Sequence, residues 1–185
     1  MTDTGETPST EKTNALGGGE DAADVVVLFE AWRGAGLDPE SVTAAAVGAA
    51  RAELAEPSSR IAAVVFADDA LLQRLNREHR GADAPTNVLS FPAGPSPGGS
   101  GGADAESLGD VVLAFETIER EAAELGISFQ ARVLHMVVHG YFHLHGYDHS
   151  AEDDAAEMES MECKALARLG VADPYEPIDG AAGDA

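Results

Sequence analysis

Three histidines stand out as residues that could act together: His139, His143 and His149, in the run His139-Gly140-Tyr141-Phe142-His143-Leu144-His145-Gly146-Tyr147-Asp148-His149. The first two are four residues apart, a spacing that stacks two side chains on one face of a helix, about one turn apart. Gly146 is placed to end that helix by taking a left-handed conformation. The chain then turns back, and His149 arrives as a third ligand. Three neutral imidazoles suit a zinc ion, and three protein ligands leave a fourth position open, as in catalytic rather than structural sites. Five of the six histidines fall between positions 135 and 149. His135 lies one turn before His139 and either orients a ligand from behind or packs as an ordinary histidine. His145, two residues after His143, falls on another face and is read as a non-ligand. Common zinc peptidases carry His-Glu-x-x-His, with the glutamate as general base. Here Gly140 occupies that position, so the helix places no carboxylate beside the metal.

The elements that must position these residues follow from pattern. Val25–Phe29 lies in a first strand expected over 24–31. Asp38-Pro39 opens a helix expected to reach Ala55. Arg60–Ala67 is a second strand. Asp68-Asp69 caps a helix running to about His79, with Leu71, Leu72 and Leu75 on its apolar face and Gly81 at its end. Thr86–Phe91 is a third strand closed by Pro92. Residues 94–107, rich in Gly, Ser and Pro, form a flexible loop. Gly109-Asp110 opens a fourth strand, Val111–Phe115, and Glu116–Leu125 is a helix stopped by Gly126. Ser128 caps the long helix of His135, His139 and His143, and Ala151–Leu169 is the last helix. The expected fold is α/β (α+β): a single domain with a small, mixed, mostly parallel four-stranded sheet, about five helices, and a zinc site at a helix end.

Composition narrows the setting. The 185 residues carry 33 acidic and 11 basic groups, a formal net charge of −22. That balance by itself opposes nucleic-acid binding, since phosphate affinity comes from Lys and Arg. The charge is uneven, however. Residues 1–24 and 176–185 read as disordered acidic tails around a 25–175 domain. Arg74, Arg77 and Arg80 recur at three-residue steps and form one basic stripe on their helix, the opposite of the chain's overall sign. No apolar run is long enough to span a membrane. The start, Met1-Thr2-Asp3-Thr4-Gly5-Glu6, lacks the basic and apolar stretches of a secretory signal. A single cysteine, Cys163, leaves no disulfide within the chain. A cytoplasmic protein is the default expectation.

The residues also resemble a known family. His135-Met136-Val137-Val138-His139-Gly140 through His149, Leu75-Asn76 with Arg80-Gly81, Thr86-Asn87-Val88-Leu89-Ser90-Phe91-Pro92, Leu108-Gly109-Asp110-Val111, and Leu169-Gly170 with Asp173-Pro174-Tyr175 are similar to the motifs of the YbeY endoribonucleases, bacterial rRNA maturation factors. The resemblance spans roughly residues 25–175. It implies a zinc-dependent hydrolase of single-stranded RNA acting in 16S rRNA 3′ processing and ribosome quality control. Its partners would be rRNA and the small ribosomal subunit, with no DNA and no membrane. It implies one Zn2+ per chain on His139, His143 and His149, and a functional arginine at Arg80. Asn87 stands where many members carry aspartate.

The implied chemistry is phosphodiester cleavage, by an activated water or by the RNA's own 2′-hydroxyl. Either route builds negative charge on phosphorus, which a positioned arginine stabilises bidentately. Arg80 is assigned that role, with Arg77 and Arg74 on flanking phosphates. Asp148 adjoins a ligand and either holds His149 or caps a turn. Two rival readings belong to other classes: a metallopeptidase-like hydrolase, and a non-catalytic ribosome-assembly factor with a structural zinc.

Overall fold

The computed structural model describes residues 23–55, 60–94, 107–149 and 151–176. In chain order the elements are β1 (Ala23–Val27), α1 (Ala31–Gly34), α2 (Pro39–Arg51), β2 (Ile61–Ala67), α3 (Asp69–Arg80), β3 (Val88–Pro92), β4 (Ser107–Ala114), α4 (Phe115–Leu125), α5 (Phe129–Leu144) and α6 (Glu152–Arg168). The sheet order is β1-β2-β4-β3. β1 and β4 flank β2 in parallel, and β3 closes the sheet antiparallel to β4. The expected mixed, mostly parallel four-stranded sheet is therefore present.

Period-2 alternation divides the sheet between two layers. Val64, Phe66, Val88, Val111 and Leu113 enter the main core with α2, α5 and α6. Ala67, Leu89, Val112 and Ala114 turn to the other face, where Leu72 of α3 covers them. Helix α5 runs through the main core, with ten of its sixteen residues buried. A near-continuous apolar helix of this kind is dictated by burial on several sides rather than by one stripe. Trp32 anchors the core's end, fully buried, its ring edge-on to Phe66 and Phe115 and its indole N–H donated to the Ala67 carbonyl at 2.8 Å.

Several boundaries differ from the sequence expectation. β1 begins at Ala23, inside the segment assigned to the acidic tail, because the parallel register continues through Ala23↔Ala62 and Asp24↔Ala63. It stops at Val27, since the N–H groups of Leu28 and Phe29 both bond to the Phe66 carbonyl (2.9 and 3.2 Å) and the chain turns into the one-turn α1. With α1 the helices number six rather than about five among the described residues. α2 ends at Arg51, four residues early, in a tightening turn where Glu53 and Leu54 donate to residues three back. β4 starts at Ser107 rather than beyond Gly109. Gly109, at φ +133°, permits this: a Cβ there would stand 2.3 Å from the Phe91 carbonyl oxygen. Most of the expected 94–107 loop lies outside the described residues, as do the rest of the two tails.

Candidate functional site

Local sequence builds the histidine helix and its end. Ser128 caps α5, its hydroxyl accepting the Ala131 N–H at 3.1 Å. At the other end Gly146 takes φ +87°. Its N–H bonds to the His143 carbonyl and that of Tyr147 to the Phe142 carbonyl. The reversal brings His149 back over the helix. The ligand atoms of His139, His143 and His149 all lie within 4.8 Å of one another. The rings of His139 and His149 stack at 5.6 Å, and that of His143 stands across both.

Hydrogen-bond partners assign the protons. Tyr147 offers a carbonyl to Nδ1 of His143 at 2.9 Å, so that nitrogen carries the hydrogen. Glu162 offers Oε1 to Nδ1 of His139 at 2.8 Å, with the same consequence. Both Nε2 atoms are then lone pairs, and they face each other at 3.1 Å. Two lone pairs at that distance repel unless a cation lies against both. Tetrahedral zinc with Zn–N near 2.0–2.1 Å sets its ligand nitrogens about 3.3 Å apart. The donor set therefore fits a zinc ion. Burial, and then the neighbouring charge of His139, lower the His143 pKa from its ordinary value, which favours the neutral form a metal needs.

These rings open on a cleft of about 590 Å³, whose walls include Arg80, Asn87, Ser90 and Asp148. Arg80 reaches it from the last turn of α3, where Gly81, at φ +72°, ends the helix. It is exposed and makes no hydrogen bond or ion pair among the described residues. Arg77 and Arg74 are not among the residues that line this cleft, and Arg77 faces Asp83 at 3.5 Å. Asp148 Oδ1 accepts the backbone N–H of His149 at 2.8 Å. Asp110 lies within β4, exposed, its partner in β3 being Phe91.

Gly140 seats α5 on the sheet. A Cβ at that position would meet Val111 Cγ1 at 2.5 Å and Ser90 Oγ at 3.1 Å. Ser90 donates to the Gly140 carbonyl at 3.1 Å. The peptidase glutamate would have no room here, so its absence follows from packing.

Behind the rings lies Glu162 of α6, fully buried, which pattern reading along the chain missed. Burial would raise its pKa. Hydrogen bonds from His135, His139 and the Tyr175 hydroxyl override that and hold it at about 2. One signal was available: Glu162 shares the buried face of α6 with Met158, Met161, Ala165 and Leu166, where a carboxylate needs partners. Asn87 also gains a reason. Its amide donates to both oxygens of Glu121 at 3.1 Å, where an ionised aspartate would meet a like charge. His145 sends Nδ1 to the Tyr141 carbonyl, away from the three rings.

A family model described as Endoribonuclease YbeY matches residues 40–170. A protein of Methylocella silvestris named Endoribonuclease YbeY is 46% identical over 162 residues, covering 84% of this chain and 86% of that protein. One of Nitrobacter hamburgensis with the same name is 42% identical over 158 residues (84% and 83%). One of Sinorhizobium medicae is 53% identical over 113 residues (60% and 66%). A solution structure of TM1509 from Thermotoga maritima is 19% identical with a TM-score of 0.49, over 84% of this chain and 99% of that one. No helix among the described residues is long and apolar enough to cross a membrane.

Proposed function

This chain belongs to the YbeY endoribonuclease family, and from that premise we propose that it is a zinc-dependent, single-strand-specific endoribonuclease acting in 16S rRNA 3′-end maturation and ribosome quality control. The supporting observation is that Arg80 and the three imidazoles line one cleft. His139, His143 and His149 would hold one zinc ion per chain. When bound, zinc supplies Lewis-acid polarisation of a phosphoryl oxygen or activation of a water. Arg80 binds the scissile phosphate through its non-bridging oxygens, its two-pronged guanidinium matching their geometry and the charge that builds on them. Asn87, oriented by Glu121, forms part of the wall along which the strand lies. The natural substrate is rRNA in the context of the small ribosomal subunit. The lack of space at Gly140 counts against the peptidase alternative.

The test is cleavage of a single-stranded RNA by wild type, Arg80→Ala and Arg80→Lys, with zinc content measured in all three. Arg80→Ala should keep the metal and lose at least about tenfold in rate, a charge-assisted contact being worth ~1.5–3 kcal/mol. Arg80→Lys should recover only part, because an ammonium is a point charge. Full activity in the alanine variant places the phosphate contact elsewhere. Cleavage of a peptide and not of RNA overturns the proposal.

A further inference from the structure

Behind the cleft, a buried polar cluster leaves every proton assigned. A guanidinium only donates, so Nδ1 of His135, 3.1 Å from Nη1 of Arg132, is a lone pair. The neutral ring then carries its proton on Nε2, which donates to Glu162 Oε2 at 2.8 Å. The Tyr175 hydroxyl donates to the same oxygen at 2.5 Å. The other oxygen, Oε1, is left to accept from Nδ1 of His139 at 2.8 Å. Arg132 is itself fixed by Glu121, which takes its Nε at 3.0 Å and Nη2 at 2.7 Å. Orientation thus passes from Arg132 through His135 and Glu162 to His139.

We infer that Arg132, His135, Glu162 and Tyr175 form a relay of positioning residues that holds His139 in the one tautomer able to offer Nε2 to a metal ion in the cleft. None of the four lines that cleft. The inference rests on the reading of His139 as a zinc ligand. His135, His139 and Glu162 also have ligand atoms within 4.8 Å of one another. The facing atoms of both rings, however, carry the protons that Glu162 accepts, so this group is a hydrogen-bonded support and not a second metal site.

Glu162→Gln gives the sharpest test. The amide offers one acceptor and one donor where the carboxylate offered two acceptors. One ring N–H then faces another N–H, and one ring must move its proton. His135 is blocked, because a proton on Nδ1 would face the Arg132 donor. His139 is not blocked, because a proton on Nε2 would point at the lone pair of His143 3.1 Å away. The substitution should therefore turn His139 into the tautomer that cannot bind metal.

The experiment reads histidine tautomers by 15N NMR in zinc-free protein, and zinc affinity by competition with a chelator. Wild type should show His139 protonated on Nδ1. Glu162→Gln should show it protonated on Nε2, with zinc bound about 10–100-fold more weakly, the usual cost of losing a group that orients a ligand. Adding Arg132→Met removes the donor that blocks His135, so the double variant should bind zinc more tightly than Glu162→Gln alone, by about threefold or more. A purely structural role predicts the reverse, a double variant worse than either single one. That result, or an unchanged His139 tautomer in Glu162→Gln, overturns the relay. If Glu162→Gln does not fold, Tyr175→Phe carries the test: it removes one donor to Glu162 and should weaken zinc binding in a protein that still folds, at a modest loss of thermal stability. Unaltered affinity there overturns the relay. Wild type with the expected tautomer but no zinc binding supports the relay and sinks the metal reading. Zinc binding with His139 protonated on Nε2 in the zinc-free protein does the opposite.

Discussion

Helix α5 shows two sides to its surroundings. Toward the cleft, His139 and His143 present bare nitrogens beside an exposed Arg80 that no described residue holds. Toward α6, the same helix sends His135 into a buried carboxylate that accepts three hydrogen bonds, two from α5 and one from the segment after α6. The difference separates two tasks. Groups that meet a phosphate must present donors that no other part of the protein occupies, whereas groups that aim a ligand gain from having no alternative arrangement. Desolvation enforces the second, since a buried carboxylate must keep its donors.

The contrast is broken most completely at the metal. His143→Ala should lose most of the zinc, because two imidazoles hold a labile ion poorly, whereas His145→Ala should retain about one ion per chain. Elemental analysis of both variants checks this, and equal content would show that these histidines are not a ligand set. The next largest effect lies in the seat of the helix. Gly140→Ala forces a Cβ within 2.5 Å of Val111 Cγ1 and should cost about 1–3 kcal/mol of stability in urea denaturation, with Gly140→Glu worse. A neutral Gly140→Ala would mean that α5 can lift off the sheet without penalty.

Acid should separate the two sides as well. The His143 pKa lies below its ordinary 6.5, chiefly through burial. Its neutral, metal-binding form is fully present above that ordinary value and is lost only as pH falls through the lowered one. Zinc affinity should be flat above about pH 7 and decline below about pH 6. Glu162, held at about 2, keeps its charge throughout that window. A zinc titration series from pH 5 to 8 tests the sign, and an affinity that rises toward pH 5 would contradict imidazole ligation. The smallest effect distinguishes arginines on one helix. Arg77 faces Asp83 away from the cleft, so Arg77→Ala should change RNA cleavage by less than about twofold, an exposed ion pair being worth ~0–1 kcal/mol. A loss as large as that expected for Arg80→Ala would extend the substrate path along α3.

Much of this could be read along the chain. The His139–His143 pair is a helical repeat, Gly146 is a left-handed stop, and the Asp68–Gly81 helix is defined by its cap and terminator. Each depends on neighbours within a few residues, and local sterics and hydrogen bonding suffice to fix them. The boundaries that moved are those decided by other parts of the molecule. β1 starts early because β2 continues to pair with it, and β4 starts early because β3 lies close enough to Gly109 to exclude any side chain. The same division holds at the site. Spacing alone nominated three imidazoles, whereas Glu162 is separated from His139 by 23 residues and from His135 by 27, and nothing local links them. Only the packing of α6 against α5 sets that carboxylate behind the rings. Only the order β1-β2-β4-β3 leaves β3 at the edge where the end of α3 can deliver Arg80. Sequence determined which groups could bind a metal and a phosphate. Tertiary structure decided which nitrogen each histidine presents and which arginine shares its cleft, because those depend on contacts between segments far apart in the chain.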